Sequence, residues 1–184
     1  MPYLYEEAYQ WYESFDPLGE MLARPNPTQV LDLLGKFIEH LVLECQWSPD
    51  KIHLFGFGQG GSVAAELGLR WWKVRSTQHS DSRLGSIVSV GGPLLSYPTP
   101  SSPCPTPVLV YHRLVSETTK LSLGDLRAFN KGYEGVQEVQ GAGGDGMPRS
   151  KEDWEPIMRF WSVNLSTRNS PGLYEVIGGV DSSS

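Results

Sequence analysis

The stretch KIHLFGFGQGGSVAAELGL, Lys51 to Leu69, decides how the rest of the chain is read. Ile52 to Phe57 is a short apolar run of strand type, and Gln59 to about Val74 is alanine- and leucine-rich, as a packed helix is. Between them lies a glycine turn, Gly56 to Gly61. A G-x-S-x-G turn in this setting holds a nucleophilic serine at its centre. Here the central residue is Gly58. The turn is a nucleophile elbow without its hydroxyl, a phosphate cradle, or only a tight corner.

Working outward, strands and helices alternate. Asn26-Pro27-Thr28-Gln29 reads as a helix start, with Asn26 capping, Pro27 in the first turn and Gln29 reaching back. Val30, Leu34, Phe37, Ile38, Leu41, Val42 and Cys45 then fall on one helical face. Downstream, 86–90 and 108–112 are strands, separated by the proline-rich loop 99–107. Ser122 with Asp125 opens a short helix over 122–131, and 135–139 is a further strand. Ser150 with Asp153 caps a last helix whose Trp154, Ile157, Met158, Trp161 and Leu165 share a face. This alternation predicts βαβ units and a mostly parallel sheet with helices on both faces. The expected organisation is an irregular aromatic and acidic lead-in over 1–25, one α/β domain over 26–165, and a tail over 166–184.

Composition narrows the function. The chain has 184 residues, 39% of them hydrophobic, enough for one domain with a core. Its net charge of −6 argues against nucleic acid as a partner. No apolar run reaches the ~20 residues that span a bilayer. The first residues lack the basic and apolar regions of a secretory signal, so a cytoplasmic location is the expectation. Cys45 and Cys104 read as two free thiols, with a single disulfide between them the alternative. No C-x-x-C, H-x-x-x-H or D-x-D spacing is present, and no metal or other cofactor is expected. In RWWKVR (70–75) basic and aromatic residues alternate, which reads as a helix end with inward tryptophans and cations complementing the dipole.

Gly56, Gly58 and Gly61 also satisfy G-x-G-x-x-G, the dinucleotide fingerprint. Against that reading, a full helix precedes this strand, and the following strand ends in Gly91-Gly92-Pro93 with no acidic residue for a ribose. The elbow reading accounts for more residues. HLFGFGQGGSVAAEL resembles the elbow of the phospholipase/carboxylesterase family, which includes the acyl-protein thioesterases and carries a G-F-S-Q-G-G type sequence there. Gly56, Phe57, Gln59, Gly60 and Gly61 match, and Gly58 does not.

That resemblance covers roughly residues 26–165. It implies an α/β-hydrolase-like three-layer sandwich missing its first strands. It also implies hydrolysis of ester or thioester bonds, with the nucleophile at the position of Gly58 and the Gln59 N–H as an oxyanion donor. The acid would fall near Glu117, and the histidine at about Asp145, in a loop that holds no histidine. All three catalytic positions are thus substituted, and catalysis is expected to be impaired. Ser62 and His112 are the alternates, Ser62 as the nearest hydroxyl and His112 as a base paired with Glu117. The expected partners are an acyl or ester small molecule in the old cleft, and a protein or a second copy at the strand edge left bare by the missing strands.

Overall fold

The computed structural model describes residues 9–22, 25–76, 82–99, 102–114, 119–141, 144 and 146–165. A four-stranded parallel sheet, in the order β1-β2-β3-β4, is formed by β1 (His53–Phe57), β2 (Ser86–Val90), β3 (Val108–His112) and β4 (Val136–Gln140). Registers run His53↔Ser86, Ile87↔Val108 and Val108↔Val136. The two central strands are buried at every position, which is why SIVSV and VLVYH are apolar runs rather than alternating ones.

Among the described residues, four α-helices clothe the sheet: α1 (Thr28–Leu43), α2 (Gln59–Arg75), α3 (Leu123–Gly132) and α4 (Lys151–Asn164). Ile87, Val108 and Val110 meet Ala64 and Ala65 of α2 and Phe129 of α3 on one face. On the same side, Val30, Leu31 and Ile38 of α1 pack against Val63, Leu67 and Trp71 of α2. Val88, Val90, Leu109 and Tyr111 point the other way, onto Ile157 and Phe160 of α4. The result is the expected three-layer α/β/α arrangement. Small residues on α2, from Gly61 and Ala64 to Gly68, let that helix lie close on β2.

The helix starts follow local chemistry. Ser122 Oγ accepts from Asp125 N–H at 3.1 Å while Asp125 Oδ2 accepts from Ser122 N–H at 2.7 Å, a reciprocal cap contributing ~1 kcal/mol. Ser150 and Asp153 repeat the motif. At α1 the cap position falls one residue later than expected, on Pro27, although the Asn26 carboxamide still accepts from Thr28 N–H at 3.0 Å. On α4 the buried residues are Asp153, Ile157 and Phe160, whereas Met158 and Leu165 are exposed. The apolar face is thus narrower than the sequence suggested, because Met158 sits ~100° around the helix from Ile157. Trp71 is buried with its Nε1–H donating to Ser82 O at 2.7 Å, and Arg75 lies over its ring and pairs with Glu39. Both cysteines are free thiols, Cys45 exposed and Cys104 buried.

Asp153 does more than cap. It receives the Tyr111 hydroxyl, pairs with buried Arg113 at 3.0 Å and accepts from Arg149 N–H, joining β3 to α4. Burial pushes the Tyr111 phenol up to about 12, with the Asp153 hydrogen bond adding to the rise. Burial alone would raise the Asp153 carboxyl too. The hydrogen bonds from Tyr111 and the backbone, with the charge of Arg113, outweigh it and hold that carboxyl below its ordinary value. A carboxyl depressed in the folded state stabilises it above the unfolded pKa, and that stability fades as pH falls below about 4. Asp153→Asn is therefore expected to cost roughly 3–5 kcal/mol in urea unfolding at pH 7, with a smaller difference from the parent near pH 3.

Candidate functional site

At the carboxyl end of β1 the chain reverses into α2 within one residue. Gly58 takes φ 53° and ψ −121°, a conformation that side chains disfavour. Its N–H donates to Val90 O at 2.8 Å, tying the turn to the end of β2, and its C=O accepts from Ser62 N–H at 3.1 Å. Gly56 has no room for a side chain, since a Cβ there would lie 2.1 Å from Gly60 O. At Gly58 the opposite holds, for a Cβ would meet nothing within 4 Å among the described residues. The turn presents its central residue outward into open space, as an elbow does. No side chain caps α2, so the N–H groups of its first turn, beginning at Gln59, lack intrahelical acceptors at the positive end of the helix dipole.

Trp11 to Ser14 of the lead-in lie across this turn. Gln59 Oε1 accepts from Trp11 N–H at 2.8 Å, and Gln59 Nε2 donates to Tyr12 O at 3.2 Å and Ser14 Oγ at 2.8 Å. The segment closes on itself through a Phe15↔Met21 bridge, with Asp16 Oδ1 accepting from Leu18 and Glu20 N–H. Tyr12 is partly buried against the elbow, which raises its phenol pKa, and the charge of Glu66 raises it further. Ser62 is fully buried on α2; its hydroxyl approaches the Tyr12 phenol without a well-aligned hydrogen bond. It has no path to a substrate in this state.

The remaining candidates separate. His112 is buried at the end of β3 with Nε2 2.9 Å from Glu138 Oε1 and, among the described residues, no partner for Nδ1. The residue beside it is thus Glu138 of β4. Glu117 and Asp145 lie outside the described residues. His53 Nδ1 pairs with Ser86 Oγ at 2.8 Å, and desolvation lowers its pKa. Sequence reasoning missed Glu66, a buried carboxylate that accepts from Leu95 N–H, Ser96 N–H and Ser96 Oγ at 2.7–2.8 Å and pins the loop after β2. A lone acid inside the apolar run VAAELGL was its signal. Among the described residues no group of three metal-ligating side chains converges, and no helix is long and apolar enough to cross a membrane.

The parallel sheet, the glycine elbow at the end of β1 and helices on both faces define an α/β-hydrolase fold. Comparison with solved structures agrees. The chain superposes on esterase PE8 with a TM-score of 0.64 at 19% identity, covering 85% of this chain and 71% of that one. It superposes on Zea mays acyl-protein thioesterase 2 with 0.61 at 16% (85% and 72%), and on Arabidopsis thaliana SOBER1 with 0.60 at 15% (84% and 82%). No family model matches the chain. In sequence it is 36% identical over 172 residues to an uncharacterized hydrolase of Mycosarcoma maydis, covering 91% of this chain. The chain spans 62% of that relative's length.

The open space at Gly58 predicts that Gly58→Ser folds. Backbone strain should cost about 1–3 kcal/mol in urea unfolding, with native far-UV circular dichroism retained. Gly56→Ala, by contrast, should cost more than Gly58→Ser, because its Cβ meets backbone rather than space.

Proposed function

We propose that this chain is an α/β-hydrolase-fold domain of the esterase/thioesterase type that keeps the carbonyl-binding elbow but turns over ester and thioester bonds very slowly or not at all. The observation that carries this reading is Gly58 itself, held in elbow geometry and facing open space with no nucleophile on it. The uncapped start of α2 supports binding of a carbonyl or carboxylate oxygen there, because its N–H groups need an acceptor. By resemblance, Glu117 stands in the place of the acid and Asp145 in that of the histidine, so neither a base nor a serine is supplied. Ser62 is buried, and His112 is engaged by Glu138.

Losing the nucleophile alone costs about 10⁶ in kcat, which takes a typical ~10 s⁻¹ enzyme to ~10⁻⁵ s⁻¹. Hydrolysis of a p-nitrophenyl acyl ester and of an acyl thioester is expected to stay near the buffer rate. A fatty acid at millimolar concentration is expected to raise the melting temperature by occupying the cleft. Turnover near 1 s⁻¹ would overturn the reading, and so would a melting temperature that no acyl ligand moves.

A further inference from the structure

Among the described residues, one edge of the sheet carries no further strand. Ile52 O accepts from Gly85 N–H, and Gly58 N–H donates to Val90 O, so the even-numbered residues of this segment face β2. Strand residues alternate, and the N–H and C=O groups of His53, Phe55 and Phe57 therefore point away from the sheet. Among the described residues β1 pairs only with β2. Beside this edge runs a groove of about 570 Å³ between α1, α2 and β1, with Trp11, Phe37 and Trp47 among its walls. On the opposite face Phe55 stacks on Trp154 with ring centroids 5.8 Å apart.

We propose that this edge is a self-association surface, where the β1 strands of two copies pair antiparallel about a two-fold axis through Phe55. An acyl ligand would cover the aromatic walls but pair with none of the six outward main-chain polar groups, whereas a strand does both. The three outward residues are spaced evenly about Phe55, so a two-fold sets Phe55 against its own copy and His53 against Phe57 of the other. The apolar area also suits a dimer. Trp11, Phe37, Trp47, Phe55 and Phe57 are 51%, 58%, 53%, 38% and 38% exposed. At 150–250 Å² per aromatic side chain they offer about 450 Å² on each copy, or ~900 Å² per pair before backbone is added. A specific interface needs at least about 1,000 Å² in total, which the strands and the groove rims bring within reach. This inference does not depend on what the elbow binds.

Light scattering after size exclusion, on the full chain from ~1 to ~100 µM, tests it. The mass is expected to rise with concentration from 20.4 kDa to twice that and to stop there. Phe57→Pro removes an outward N–H while leaving every bond to β2, and should raise the concentration for pairing at least tenfold. Phe37→Glu places a charge on the groove wall and should do the same, so it decides the matter if Phe57→Pro fails to fold. A monomer throughout, a mass that climbs past the dimer, or a dimer untouched by both variants that fold would each overturn the proposal.

Discussion

The chain turns from β1 into α2 at Gly58, and the hydrogen bond from its N–H to Val90 O locks that turn to the end of β2. Much else is arranged around this corner. The positive φ of Gly58 aims the turn outward, the close approach of Gly56 to Gly60 leaves no room for a side chain beneath it, and α2 begins without a cap. Because α2 leaves the corner at that angle, its small residues reach β2, and α1 and α3 pack alongside it on the same face. The carboxyl end of β1 is also where parallel sheets carry their chemistry. The same corner thus serves the packing of the domain and the reading of its site.

Most of the fold was legible in the sequence because its signals are local. β2 and β3 are uniformly buried, so their apolar runs mark them directly, and the observed spans agree with the expected ones residue for residue. The Ser122–Asp125 and Ser150–Asp153 pairs announce α3 and α4 through caps that need no tertiary context. Where expectation and structure differ, a distant partner decides. Met158 looked like a core residue by spacing, but the contact of α4 with Val88, Leu109 and Tyr111 selects Ile157 and Phe160 instead.

The site was less legible for the same reason. Gly58 is a one-letter departure from the G-x-S-x-G pattern that the sequence shows at once, yet only the backbone angles show that a sharp, elbow-shaped turn forms there. The lead-in has no periodicity of its own, and Trp11 to Ser14 are held by Gln59, forty-eight residues away from Trp11. Glu117, the carboxylate expected beside His112, lies outside the described residues, and the contact of His112 with Glu138 crosses from β3 to β4, twenty-six residues along the chain. Glu66 carried a signal, an acid among apolar neighbours, but its acceptor role needs the loop at Leu95 and Ser96 to be in place.

The elbow is proposed to keep its geometry without an activated nucleophile. Intact mass after treatment with a fluorophosphonate, which labels only activated serines, tests this most directly. An unmodified mass is expected. A single adduct, mapped to Ser62 or to any other serine, would show that a working nucleophile exists and would contradict it.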